Sequence, residues 1–336
     1  MSIENDRRTT LYQLEFDIPH HEAIAAAAQQ LLTPAATSEV AKILASVGCT
    51  TLREVAGWAD KIKHRKPNAN DDTYTKEFMQ QNPNSGEWHF VDLPLGCSGY
   101  DPVKYERFCR GPNVVGILTE CIQVLEQQST RFLPINALRL IVHLVGDVHQ
   151  PLHVGCKYLQ TLNATISLTG DPDVIAAGNL PKDRGGNALI LPADAGRTNL
   201  HAYWDSGLGG EVTGQDSSFN DKLQSDEDAT SAAVRKILST LGNSVRGLRS
   251  PAETTSVELE MWPKEWATHS LEVARQAYVS IAIIGSHSDS RSESASYDVN
   301  WEGRAAYNER CRGLLVEQMS LGAKNLAAVI NRLYES

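Results

Sequence analysis

The sequence predicts an all-α fold, a single mostly helical domain, and three observations carry that prediction. Apolar residues recur at helical spacing through most of the 336 residues. The most hydrophobic of these runs, PINALRLIVHLVGDV at 134–148, has the pattern of a central buried helix. No internal repeat and no clear linker divides the chain.

The elements follow in order. Residues 21–32 are alanine-rich and helical, and Thr33-Pro34 breaks the chain before a short helix over 38–47. Thr51 precedes LREVAGWADKIK, in which Leu52, Val55, Ala59 and Ile62 form one apolar stripe. Residues 66–84 contain two prolines and four asparagines and read as a polar surface loop. A helix over 114–125 comes next, then 134–148 with His143 and Asp147 in its last turns. Pro151 ends that helix, because proline lacks an amide donor and clashes with the preceding turn. Residues 161–183 read as loop leading into DRGGN. A helix begins over 199–204, and 212–228 read as a loop or lid. Helices over 229–248, 263–284 and 305–332 complete the chain, with a solvated loop at 287–299.

The charge is −10, from 31 basic and 41 acidic residues. That disfavours a broad cationic surface for duplex binding, but not a nucleic acid whose phosphates are received by metal ions. No run of 18 apolar residues marks a membrane span. The first twenty residues are charged throughout and do not read as a secretory signal. Six cysteines without a CxxC pair fit free thiols or one or two disulfides.

The chemistry concentrates in HLVGDVHQPLHVG, residues 143–155. His143 and Asp147 lie one helical turn apart on one face, and His149 and His153 follow across Pro151. Three imidazoles and a carboxylate within so short a span suit zinc, which takes nitrogen and oxygen ligands. NLHAYWD repeats the spacing with His201 and Asp205. One such pair is common by chance, whereas two in a chain of ten histidines are not. Burying these groups without a metal would leave costly unpaired polar atoms. His149 is expected to support the site by a hydrogen bond rather than to bind metal. Asp60 in GWADKIK and His89 in EWHFVDLP are further candidates.

These motifs resemble the S1/P1 nuclease family along nearly the whole chain. They are the histidine eleven residues before Leu32-Thr33-Pro34, Trp58-Ala59-Asp60, WHFVDLP from Trp88, GDVHQPLH, DRGGN, NLHAYWD, PKEWATHS and LGAKNLAAVIN. The resemblance implies a helical fold of the phospholipase C and nuclease type, with three zinc ions in a cleft. By position, Asp60, His89, His143 and Asp147 would hold the first ion, and His153, His201 and Asp205 the second. Asp147 would bridge to a third ion with His21. Phe16 falls where the family has an N-terminal tryptophan whose amino and carbonyl groups complete that third site. An internal amide at Phe16 has no lone pair to offer. The third site is therefore complete if processing exposes Phe16, and otherwise weakened, altered or empty, with His20 the nearest substitute. Residues 1–15 would be a disordered extension ahead of one domain over 16–336.

The resemblance also implies hydrolysis of single-stranded DNA or RNA and of 3′-nucleotides, by a monomer without a membrane span. Asp60 and Asp147 would be catalytic. Lys63 stands where the family has a phosphate-contacting arginine, keeping the charge but losing the bidentate fork. Phe90 would stack a base, Asp92 would hydrogen-bond its edge, and Asn187 would support the ligands with His149. The family is usually secreted and disulfide-bonded, so a secreted or periplasmic setting is implied, with the cytoplasm as the alternative from the sequence as written. Two other readings share the metal pattern: a zinc phospholipase C, and a metal-binding relative without activity.

Overall fold

Helix α8, Pro134–His149, is buried along its whole length after Pro134, and the rest of the fold is arranged to cover it. The structure is a computed structural model that describes residues 18–208, 225–244, 258–287 and 295–335. The expectations for residues 1–15, for Phe16, and for most of the loop or lid at 212–228 lie outside the described residues.

The chain enters through α1, Ile18–Gln29, and α2, Pro34–Ala45, where Thr33 caps the amide of Ala36. The predicted stripe over 52–63 is interrupted at Gly57, giving α3, Leu52–Ala56, and α4, Trp58–Ile62. Thr51 and Glu54 form a reciprocal capping box on α3, satisfying amides that a helix start leaves open. Inside the expected polar loop lies α5, Thr73–Gln81, capped by Asp72 and buried through Phe78 and Met79. After α6, Glu106–Cys109, α7, Val114–Leu125, packs on α8. Pro151 ends α8 as expected and also opens α9, Pro151–Val154, since the first turn of a helix needs no proline amide.

The remaining helices are α10, Pro172–Gly178, α11, Leu200–Ala202, α12, Ser225–Ser244, α13, Trp262–Ala277, and α14, Arg304–Leu333. Helices α1, α3, α4, α7, α13 and α14 all contact α8. Asn331 on α14 ties the α1–α2 link, accepting from Thr33 N at 2.8 Å and donating to Leu31 O at 3.0 Å.

The all-α expectation is corrected by three small sheets. Strands β1, Leu93–Pro94, and β2, Gly155–Cys156, run parallel. Strands β3, Tyr158–Leu162, and β4, Thr165–Thr169, form a hairpin. Strands β5, Leu189–Ile190, β6, Ala282–His287, and β7, Ser296–Asn300, form the third sheet, ordered β5-β7-β6. Two-residue strands have no periodicity to read. The hairpin turns on Asn163 and Ala164, both with positive φ, 49° and 63°. That is the two-residue turn that matches strand twist, and Asn-Ala signals it less strongly than Asn-Gly. The helix expected over 263–284 stops at Ala277, and the β-branched Ile283 and Ile284 belong to the edge strand β6.

The expected disulfide is corrected too. All six cysteines are free thiols, and every one except Cys49 is buried.

Candidate metal centre

The centre forms where the last turn of α8 meets α1, α4, the turn at Ser85–His89, α9 and α11. Asp147 lies at its middle. Its Oδ2 is 2.9 Å from His89 Nδ1 and 3.2 Å from His143 Nε2. Its Oδ1 is 3.3 Å from His153 Nδ1 and 3.4 Å from His21 Nε2. Asp60 joins from α4, with Oδ1 3.2 Å from His143 Nε2 and 3.6 Å from His89 Nδ1. On the far side, His201 Nε2 is 3.4 Å from Asp205 Oδ2, and His153 Nε2 is 4.0 Å from Asp205 Oδ1.

The imidazoles are held from behind by backbone carbonyls. His143 Nδ1 donates to Ala56 O at 2.7 Å, so the capped α3 fixes the ring. His201 Nδ1 donates to Gly185 O at 2.9 Å, and His153 Nδ1 lies 3.1 Å from His89 O. For His143 and His201 this turns Nε2 toward the carboxylates, as a ligand histidine requires. The short parallel sheet serves the same purpose. Pairing of Leu93 with Gly155, extended by Val91 N donating to His153 O at 2.7 Å, stitches the segment carrying His89 to the one carrying His153.

Asp205 sits in a π turn, Tyr203–Gly207, where Leu208 N donates five residues back to Tyr203 O. Tyr203 Oη donates to Asn308 at 2.6 Å, and Trp204 Nε1 donates to Tyr307 Oη at 2.7 Å, so α14 anchors this widened turn.

Electrostatics separate the groups. Burial opposes the proton on His143, but Asp147 and Asp60 outweigh it and raise its pKa to about 10. Burial would raise Asp60, yet His143 and His89 hold it down at about 2. Burial dominates at Asp205, raised to about 8, at His201, lowered to about 3, and at His89, lowered to about 4. Lys63 Nζ lies 2.9 Å from Asp60 Oδ1, and burial lowers its pKa to about 8 against the pull of Asp147 and Asp205.

The residues fit zinc. Three overlapping groups each bring nitrogen and carboxylate donors together: Asp60, His89 and His143; His153, His201 and Asp205; and His21, His143 and Asp147. Among the described residues, buried His153 Nε2 and Asp205 Oδ2 have no hydrogen-bond partner, as expected of atoms reserved for a cation. The groups are consistent with up to three zinc ions, and the His21 group is the less complete because it shares His143 with the first.

Other expected residues lie further out. His20 is buried on α1 but belongs to none of the three groups. His149 donates from Nδ1 to Val145 O at 2.7 Å and pairs with Asn325 at 2.9 Å, so it braces α8 against α14 rather than a ligand. Asn187 donates to Arg184 O at 3.0 Å, closing the turn whose Gly185 carbonyl holds His201. Half-buried Phe90 and Asp92 line an adjacent cavity of about 500 Å³.

Two residues escaped the sequence reading. Gln150 Nε2 donates to Asp205 Oδ1 at 2.7 Å while its Oε1 accepts from Leu152 N, so one side chain caps α9 and aims a ligand. It stands inside HQPLH, where its burial was the missing signal. Gly146 admits His21 against α8, since a Cβ there would fall 2.5 Å from His21 Nδ1.

A family model described as S1/P1 Nuclease matches residues 20–335, and the chain belongs to that family. It is similar to Nuclease S1 of Aspergillus oryzae, 28% identical over 199 residues, which cover 58% of this chain and 54% of that one. Nuclease P1 of Penicillium citrinum is 26% identical over 196 residues, 55% of each chain. Endonuclease 2 of Arabidopsis thaliana is 25% identical over 200 residues, covering 56% of this chain and 54% of its own. The chain spans about half the length of the curated relatives it matches.

Proposed function

We propose that this S1/P1 nuclease family member is a zinc-dependent phosphodiesterase, an endonuclease for single-stranded DNA and RNA that also hydrolyses 3′-nucleotides. The observation that carries the reading is the set of overlapping His/Asp groups around Asp147, opening beside a cavity lined by Phe90 and Asp92. Asp60, His89, His143 and Asp147 would hold one zinc, His153, His201 and Asp205 a second, and His21 with Asp147 a third. When bound, zinc supplies a water of lowered pKa and positive charge for the phosphoryl group.

The chain's own residues do the rest. Asp147 presents its two oxygens to different imidazoles and so sets the spacing of the groups. Asp60, held ionised by His143 and His89, can take a proton as well as bind metal. Lys63, anchored on Asp60, places a cation beside the centre for a phosphate oxygen. Phe90 gives an unpaired base a face to stack on, and duplex bases are not free to do so. We further propose that the protein acts as a monomer in a secreted or periplasmic setting, on family grounds.

The test is release of acid-soluble nucleotides from heat-denatured and native DNA by zinc-loaded protein. Release from denatured DNA in preference to duplex supports the proposal. Hydrolysis of a phospholipid head group in its place would support the phospholipase reading, and zinc binding without hydrolysis of either the inactive relative.

A further inference from the structure

The densest cationic run of the chain stands beside the metal centre. Residues 61–66 bring Lys61, Lys63, Arg65 and Lys66 together with no acid among them, in a chain whose net charge is −10. Two of these four cations are neutralised by neighbours. Lys63 pairs with Asp60 at 2.9 Å, and Arg65 holds both oxygens of Asp71, at 2.6 and 2.7 Å. Among the described residues, no hydrogen bond or ion pair holds the side chain of Lys61 or Lys66, and both are exposed.

The turn that carries them is fixed. Arg65 donates from Nε to Lys61 O at 2.7 Å and from Nη1 to Lys66 O at 3.2 Å, so one guanidinium ties both ends of the run. Its partner Asp71 also accepts from Asn68 N at 2.8 Å. On the other side, His64 and the Lys63 carbonyl pack against Gly86. A Cβ there would fall 2.9 Å from the imidazole and 3.4 Å from that oxygen. Gly86 belongs to the turn at Ser85–His89, which brings His89 to the centre and exposed Glu87 to the cavity beside it. The run therefore flanks both places.

We infer that this turn is a binding surface for the backbone of a polynucleotide. Lys61 and Lys66 receive phosphates that flank the one at the metal centre, so the protein takes strands in preference to single nucleotides. The inference rests on the nuclease reading proposed above. A 3′-mononucleotide has one phosphate, and once that is at the centre nothing remains for Lys61 and Lys66. A strand has one at every nucleotide. Each such contact releases a counterion condensed on the strand, so it is read as salt dependence rather than as base preference.

The experiment measures kcat/KM of the zinc-loaded protein on oligoadenylate and on 3′-AMP, which share base and sugar, over a series of sodium chloride concentrations. The natural chain should lose activity with salt more steeply on oligoadenylate than on 3′-AMP. Lys61→Gln with Lys66→Gln should lower kcat/KM on oligoadenylate by roughly three- to tenfold, the loss of two exposed ion contacts. The slope of log kcat/KM against log salt should become shallower by about 1.4, at about 0.7 per cation on a single strand. Hydrolysis of 3′-AMP should not change. Lys61→Arg with Lys66→Arg should keep the natural slope. So should Lys42→Gln with Arg332→Gln, which removes the same charge from exposed positions on α2 and at the end of α14. An unchanged slope in the Lys61 and Lys66 glutamine pair, or an equal loss on both substrates, would overturn this inference and leave the nuclease reading standing. If the natural chain hydrolyses neither substrate and releases nothing from denatured DNA, both fall.

Discussion

At the residue scale, the centre depends on side chains that bind no metal as much as on those that would. Gln150 is the sharpest case, because one amide both caps α9 and fixes Asp205. We predict that Gln150→Ala lowers affinity at the His153, His201 and Asp205 group by roughly 10–100-fold, as is usual when a ligand loses its orienting partner. A competition titration with a chromogenic chelator reads this out, and unchanged affinity would refute it. Gly146→Ala would drive a methyl into His21 Nδ1, a contact of 2.5 Å with a buried ring. The expected loss of stability is about 1–3 kcal/mol, the usual effect of overpacking. A denaturant midpoint equal to that of the natural chain would show that His21 does not pack as described. The pairs His143 with Asp147 and His201 with Asp205 stood out in the sequence because His-to-Asp spacing on a helix is a local fact, whereas Asp60, His89 and His21 entered only through the family resemblance. Gln150 and Gly146 did not, since their roles come from Asp205 and His21, neighbours distant in the chain.

At the scale of elements, the short pieces do more positioning than the long ones. Helix α3 has five residues, yet its last carbonyl, on Ala56, fixes His143. Its capping box should therefore matter: Thr51→Ala is predicted to destabilise the protein by about 1 kcal/mol. The amides of Thr50 and Thr51 bond Glu54 and hold its carboxyl at about 2, below its ordinary value of 4.5. A depressed folded pKa gives stability that is present above pH 4.5 and is lost as pH falls toward 2. Glu54→Gln should accordingly flatten the acid side of the melting curve, and an unchanged Tm difference between pH 5 and pH 3 would contradict it. Helices 114–125 and 134–149 were read almost to the residue, because an uninterrupted apolar period leaves little choice. The strands were not: β1 and β2 owe their pairing to the approach of His89 to His153, which no local pattern encodes. Helix α5 was hidden for a related reason, its polar exposed face outweighing buried Phe78 and Met79.

At the scale of the whole molecule, buried charge links metal, proton and fold. Asp205 is raised to about 8 and Asp183 to about 7, both chiefly by burial, and His143 to about 10 by its carboxylates against burial. Each holds a proton in the folded chain above the pH at which the unfolded chain releases it. These three groups therefore lower the stability of the metal-free chain as pH rises from 6.5 to 8, and they outweigh the contrary pull of His89, His201 and Lys63, whose pKa values burial lowers. Zinc would take the place of the protons on Asp205 and His143, so its stabilising effect should grow over the same interval. Melting at pH 6.5 and pH 8, with chelator and with zinc, checks both signs. A chelated protein more stable at pH 8 than at pH 6.5 would contradict the description of the centre.

The account stands on the proposal that Asp147, whose two oxygens face His21, His89, His143 and His153, holds metal in a working nuclease. The most direct test measures zinc per chain by atomic emission together with nucleotide release from heat-denatured DNA, in the natural protein and in Asp147→Ala. The natural protein should carry more than one zinc and release nucleotides, and Asp147→Ala should lose both zinc and release. Full zinc content and undiminished release in Asp147→Ala would contradict it.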